Sequence, residues 1–221
     1  NRGFEKVKYK EYADFYVLNT CSVTDNADKE ARKLIRQAKR SNPNSKIAVI
    51  GCYAQLNPVE ISNIDGEDLV IGSENKFNLL NELDKLDLNV DSNVIRSNIE
   101  ETSRFFPSYS IGDRTRSYLK IQDGCDYVCS FCTIPLARGK SRSDSIEKTV
   151  KLANSAIEEG AKELVLTGVN IGDFGKQKNE NFLDLIQELE KLDVDNRGIY
   201  DVYSPFRTLN MGWSTGINFG L

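Results

Sequence analysis

Histidine is absent from all 221 residues, and that absence removes more chemistry than any other feature of the composition. Without imidazole there is no serine–histidine or cysteine–histidine nucleophile, no His–carboxylate iron site and no Cys₂His₂ zinc finger. Long apolar runs are missing too. No stretch approaches the roughly 18 residues of a membrane span, so no membrane partner is expected. As given, the sequence opens on Asn1 with no charged-then-apolar leader, and its five cysteines are an odd number. Both features predict a reducing cytoplasm, not a secreted disulfide scaffold. Neither sign of charge dominates: 29 basic and 33 acidic side chains leave a net charge of -4. A nucleic-acid partner would therefore have to be met by a local patch. Methionine is nearly absent, and since Met211 is the only one, a piece of a longer protein is expected.

What is present reads as alternating strands and helices. Asp14 to Asn19 is a short apolar and aromatic run, predicted as a buried strand that ends in Thr20-Cys21. Thr24 or Asp25 offers a cap for a helix over Ala27 to Arg40, which Asn42-Pro43-Asn44 stops. Lys46 to Ile50 is a second strand ending in Gly51-Cys52; Pro58 to Ile61 is one helical turn, Leu69 to Ile71 a third strand and Phe77 to Leu88 a second helix. Such alternation implies an α/β domain with a parallel sheet, and ligands gather at the carboxyl ends of its strands, where Cys21 and Cys52 fall. Residues 89–110 are polar and read as a linker. A second alternating unit begins at about residue 111. It comprises strand Ser117 to Ile121, helix Ser145 to Glu159, strand Glu163 to Leu166 and helix Phe182 to Leu192, whose apolar face is Phe182, Leu185, Ile186 and Leu189. From about residue 197 the text changes. Tyr200 to Leu221 holds only two charges, Asp201 and Arg207, and no periodicity.

The strongest chemical signal is Gly124-Cys125-Asp126-Tyr127-Val128-Cys129-Ser130-Phe131-Cys132, a C-x₃-C-x₂-C loop just after a strand. Three thiolates so close can hold three corners of a cubane iron–sulfur cluster, leaving one iron open, as a catalytic centre requires. Zinc or buried thiols are the plainer readings, but a zinc ribbon needs a second cysteine pair or histidines, and neither is present.

This loop resembles the motif of the radical S-adenosylmethionine enzymes, with aromatic Phe131 before the last cysteine. The wider string from Thr115 to Ser143 is similar to the methylthiotransferases, as are Asn19 to Thr24 with Ala27-Asp28, and Val49 to Gln55. Within that family the Gln122-Asp123-Gly124-Cys125 and Pro135-Leu136-Ala137-Arg138-Gly139 wording is closest to the tRNA threonylcarbamoyladenosine enzymes. It is less like those acting on isopentenyladenosine or on ribosomal protein S12. The resemblance implies a fold, cofactors and partners. Residues 1–88 would be a flavodoxin-like parallel-sheet domain lacking its first strand, and 111–221 the opening units of a partial (β/α) barrel with an anomalous tail. Cys125, Cys129 and Cys132 would hold a [4Fe–4S] cluster that binds S-adenosylmethionine, whose reductive cleavage yields the radical that takes hydrogen from adenine. Cys21 and Cys52 would be two of three ligands to an auxiliary [4Fe–4S] cluster, the third preceding Asn1. Phe131, Thr167, Gly168 and Asn170 would border S-adenosylmethionine, and no catalytic residue is assigned. The implied partners of this monomer are tRNA and an external electron donor.

Other signals are weaker. Arg138, Lys140 and Arg142 form a basic run, and Lys29, Arg32, Lys33, Arg36, Lys39 and Arg40 load the first helix, with Glu30 the one acid among residues 29–40. Either could meet RNA phosphates, and either could be a solvated face. A rival reading of the whole is a metal-stabilised RNA-binding module without catalysis. The chain as written is expected to be inactive, because it lacks the third auxiliary cysteine and most of a barrel.

Overall fold

Glycine and proline are absent from residues 27 to 41, and Ala31, Ile35 and Ala38 recur at helical spacing, so this stretch folds as a helix with one apolar face. In the computed structural model that helix is α1, Asp25–Ser41, and the three apolar residues are buried. Residues 3–21, 25–83, 93–110, 116–192, 199–203 and 218–219 are described. Asn42 closes α1. Its backbone N–H donates to the Ala38 carbonyl, its side-chain amide donates to the Ala13 carbonyl at 2.9 Å, and its Oδ1 accepts from Asn44 N.

The chain folds as two units, residues 1–102 with 128–139, and residues 103–127 with 140–221. The first is built on four parallel strands in chain order: β1 (Phe15–Thr20), β2 (Lys46–Gly51), β3 (Leu69–Ile71) and β4 (Asn93–Ile95). Strand β2 reads Ile47-Ala48-Val49-Ile50 without a polar break because both faces of the sheet are covered. On one face Ile47 and Val49 join Tyr16, Leu18, Ile35, Tyr53, Ile61 and Val70. On the other, Ala48, Leu69 and Ile71 pack with Ile50, Ile95 and two leucines of helix α4 (Leu79–Leu83). Fully burying each such Ile or Leu contributes about 1.5–3 kcal/mol. Helices α2 (Cys52–Leu56) and α3 (Pro58–Ser62) follow β2, and α5 (Ile134–Arg138) completes the unit.

In the second unit β5 (Ser108–Tyr109) pairs antiparallel with β6 (Arg116–Lys120). Strands β6, β9 (Glu163–Thr167) and β10 (Ile199–Tyr203) run parallel, and β11 (Asn218–Phe219) adds to β10. A short ribbon joins β7 (Gln122–Asp123) to β8 (Arg142–Ser143). Helix α6 (Ile146–Glu158) is capped by Ser145 Oγ, and α7 (Phe182–Leu189) by Asn181 Oδ1, which accepts from Asp184 N at 3.0 Å. Leu185, Ile186 and Leu189 are buried with Leu119, Ile121, Leu164, Leu166 and Phe174, and Phe182 packs against them.

The α/β architecture is the one expected; several boundaries differ. Part of the expected linker is sheet, because Val94-Ile95 is an apolar pair inside a polar stretch and β3 offers it a free edge. The helix expected over Phe77 to Leu88 begins as a 3₁₀ turn at Asn75–Asn78 and runs as α4 to Leu83; residues 84–92 lie outside the described residues. Thr24 also lies outside them, and Asp25 opens α1. The tail read as aperiodic contributes β10, whose Ile199 to Tyr203 pair with Glu163 to Thr167; residues 204–217 lie outside the described residues. Among the described residues no helix is long and apolar enough to cross a membrane.

A half-buried and a fully buried phenol tie stability to alkaline pH. Burial, and secondarily Tyr16, pushes Tyr9 up to about 12; burial, and then the hydrogen bond and charge of Glu60, pushes Tyr53 up to about 12. A folded pKa above the unfolded value of 10.0 means this stability is whole below pH 10 and is lost as pH rises toward 12. The Tyr9→Phe/Tyr53→Phe variant should therefore lose less thermal stability than wild type between pH 9.5 and 11.5, measured by circular dichroism melts. Parallel losses would contradict the assignment.

Candidate functional site

The cysteines of the first unit follow from how β1 and β2 end. Thr20 and Gly51 are register partners, so Cys21 and Cys52 leave the carboxyl ends of adjacent parallel strands. Gly51 has a φ of 102°, and a Cβ there would stand 2.4 Å from the Thr20 carbonyl oxygen. Only glycine fits that bend. It starts α2 at once, with Cys52 as its half-buried first residue, while Cys21 is exposed. The rest of the Gly-Cys-Tyr-Ala-Gln motif is structural support. Tyr53 is fully buried and its hydroxyl accepts from Arg32 Nη1 at 3.1 Å. Gln55 accepts from Ser73 N at 3.0 Å and donates to the Ser97 carbonyl at 3.3 Å.

Helix α5 belongs to the same unit and reaches Cys52. Arg138 Nε donates to Cys52 Sγ at 3.4 Å, and Ser73 Oγ donates to the Ala137 carbonyl at 2.7 Å. Gly139 ends the helix at φ 75°, where a Cβ would stand 2.7 Å from the Ile99 carbonyl oxygen. The Pro-Leu-Ala-Arg-Gly wording thus encodes a docked turn.

The C-x₃-C-x₂-C loop divides between the units. Cys125 lies in the second, half-buried after Gly124; Cys129 and Cys132 lie in the first, joined by a turn in which Cys132 N donates to the Cys129 carbonyl at 3.0 Å. Val128 is 95% exposed and Phe131 82%, so the loop presents apolar side chains to solvent instead of packing them. All five cysteines are free thiols. Among the described residues, no three or more Cys, Asp or Glu side chains are gathered into a group able to hold a metal ion. The donor chemistry of the three thiols suits iron and sulfide.

Sequence reasoning missed Gln122. It is 1% exposed, and its amide nitrogen donates to the Asp123 and Gly124 carbonyls and to Ser141 Oγ at 3.1, 2.7 and 2.9 Å. Its oxygen accepts from Val169 N and Asn170 N, both at 2.8 Å. One side chain therefore ties the root of the cysteine loop to the end of β9. Gly168 makes room for it, since a Cβ there would lie 3.0 Å from Gln122 Oε1 and 2.8 Å from Ile171 Cγ2. Of the other residues expected to border a cofactor, Thr167 donates to the Leu119 carbonyl, and Asn170 Nδ2 donates to Asp173 Oδ2. The available signal was a glutamine directly after the strand pattern Tyr118-Leu119-Lys120-Ile121, where a buried amide must find partners.

The basic run does not form one phosphate-facing patch. Arg142 is buried, its guanidinium 3.2 Å from Asp123 Oδ2 and bonded to the Arg104 and Lys140 carbonyls. Arg138 is half-buried, and only Lys140 is exposed. Asp123 also takes Lys120 Nζ at 2.9 Å, so this cationic pair neutralises a buried carboxylate.

Comparison with known proteins adds the following. Residues 1–72 match the family described as Uncharacterized protein family UPF0004. The chain is 41% identical over 194 residues to threonylcarbamoyladenosine tRNA methylthiotransferase MtaB of Bacillus subtilis (strain 168), covering 85% of this chain and 42% of that protein. It is 39% identical over 194 residues to the protein of the same name from Aquifex aeolicus (strain VF5), covering 87% and 47%. It is 32% identical over 200 residues to tRNA-2-methylthio-N(6)-dimethylallyladenosine synthase of Hydrogenobaculum sp. (strain Y04AAS1), covering 87% and 46%. The chain spans less than half the length of these curated relatives.

Replacing Gln122 by alanine should destabilise the second unit by on the order of 3 kcal/mol, since it leaves two buried N–H groups without an acceptor. Urea denaturation checks this, and a loss under about 1 kcal/mol would show that water replaces the amide.

Proposed function

We propose a function from one premise: the chain belongs to the methylthiotransferase family. The reaction proposed for the full-length gene product is the modification of tRNA, placing a methylthio group on C2 of a threonylcarbamoyl-modified adenosine beside the anticodon. The observation that carries this reading is 41% identity over 194 residues to a threonylcarbamoyladenosine tRNA methylthiotransferase. The Cys125-x₃-Cys129-x₂-Cys132 loop falls within the chain and supports the chemistry.

In this reading Cys125, Cys129 and Cys132 hold a [4Fe–4S] cluster, and Cys21 and Cys52 supply two ligands to a second. When bound, these clusters and S-adenosylmethionine supply the electron transfer and radical chemistry that no side chain can perform at an aromatic ring carbon. The chain's own residues bind and orient. Gln122 holds the Gly124 carbonyl and the turn at Val169 and Asn170 in one fixed relation, so the start of the cysteine loop and the end of β9 cannot drift apart. Gly168 keeps that approach open, Thr167 and Asn170 beside it offer polar contacts to a nucleoside cofactor, and in the first unit the exposed ring of Phe131 offers a stacking face. Arg138 orients the Cys52 sulfur through an N–H donor, a contact that suits a thiolate ligand. An external reductant supplies the electron.

The 32% identity to a dimethylallyladenosine enzyme favours a second reading, in which the modified adenosine carries an isopentenyl group. Nucleoside mass spectrometry separates the two. Tested in a deletion strain, the wild-type gene should restore 2-methylthio-threonylcarbamoyladenosine and the Cys129→Ala variant should not; restoration of the isopentenyl form would establish the second reading. Anaerobic reconstitution should load about four irons on the Cys125–Cys132 loop, and S-adenosylmethionine should perturb the cluster's absorption. An unperturbed spectrum would point to the non-catalytic RNA-binding module.

A further inference from the structure

Six cations line α1, and the structure divides them by what they do. Arg32 is committed to the fold, bonded to the Tyr53 hydroxyl and paired with Glu60. Lys39 is likewise committed, donating to the Ser45 carbonyl at 3.0 Å and standing 3.7 Å from Asp68 Oδ2. The other four, Lys29, Lys33, Arg36 and Arg40, are exposed, and among the described residues none has an ion-pair partner. Their spacing of four, three and four residues puts them within an arc of about 60° on the helix, a stripe about 16 Å long. The opposite face carries Ala31, Ile35 and Ala38 into the core, so the stripe is held facing outward. Glu30, the one acid among residues 29–40, lies about 100° from Lys29 around the helix, off the stripe.

The helix dipole favours Arg40 in the last turn, but it does not call for Lys29, Lys33 and Arg36 in line with it. Like charges at i,i+3 and i,i+4 weaken a helix, and a merely soluble face intersperses the two signs. The four cations stand together on a chain whose net charge is -4, so the stripe is a local reversal of its field. We propose that the outer face of α1 is a docking surface for the phosphate backbone of RNA, with Lys29, Lys33, Arg36 and Arg40 as the contacting groups. The choice of RNA among polyanions rests on the tRNA reading above. The ridge of a helix with flexible cationic ends follows a run of phosphates and makes no base-reading contact, so it supplies affinity and orientation, not sequence choice.

Filter binding of an unmodified tRNA transcript to the full chain, across a potassium chloride series, tests this. The Lys29→Gln/Lys33→Gln/Arg36→Gln/Arg40→Gln variant should bind at least about tenfold more weakly near 0.1 M salt, and its log–log salt slope should be shallower by about 3. A control variant removes the same charge elsewhere: Lys148→Gln/Lys151→Gln/Lys162→Gln/Lys191→Gln, all exposed in the second unit. An equal loss there would reduce the effect to net charge and overturn the proposal, as would wild-type affinity in the α1 variant. If the fourfold variant melts early by circular dichroism, the single variants decide, each expected to lower the slope by about 0.8. A wild-type chain that fails to retain tRNA at low salt overturns the docking surface, while the tRNA reading itself is decided separately by the nucleoside analysis.

Discussion

Where a parallel strand stops, its backbone leaves the ladder with N–H groups that must still find acceptors. In both units of this protein a buried glutamine meets that demand. Gln55, shortly after β2, accepts from Ser73 N beyond the end of β3, and Gln122, just after β6, accepts from Val169 N and Asn170 N beyond the end of β9. Each amide presses against a glycine at its target, Gly72 or Gly168, where a Cβ would approach the glutamine oxygen to 2.3 or 3.0 Å. The same pairing of long amide and missing side chain thus finishes both sheets at the ends where the cysteines emerge. An orphaned N–H at either place would loosen the turn after β3 or after β9 that the glutamine holds.

Much of this was legible in the sequence. Strands β1, β2, β3, β6 and β9 and helices α1, α6 and α7 follow from apolar runs and helical spacing long enough to speak for themselves. What escaped was short or partner-dependent. Strand β4 is three residues whose only reason to be extended is the free edge of β3. Helix α2 begins directly from β2 because Gly51 adopts a conformation that no neighbouring residue announces. Gln122 reads as part of a loop in the sequence and not as a structural hub, since its five hydrogen bonds are made across 47 and 48 residues as well as locally.

Charge was the least legible property. Arg138, Lys140 and Arg142 read as one basic run, yet one faces a thiol, one is exposed and one is buried against Asp123. On α1 the sequence offers six equivalent cations, and only the packing of α3 and of the loop before β3 engages two of them in ion pairs. Burial decides what a basic residue is for, and a count of charges contains no burial.

The first unit is assembled from two pieces of chain, residues 1–102 and 128–139. At about 5–20 residues per second, a ribosome needs about 2–7 s to pass from Thr102 to Gly139. Through that interval the sheet of the first unit can form, but α5 is not yet available to bring Arg138 to Cys52 or to cover Ser73. Cys21 and Cys52 are therefore made before the segment that carries Cys129, Cys132 and Arg138. For that interval the Cys52 sulfur lacks the N–H donor that later faces it.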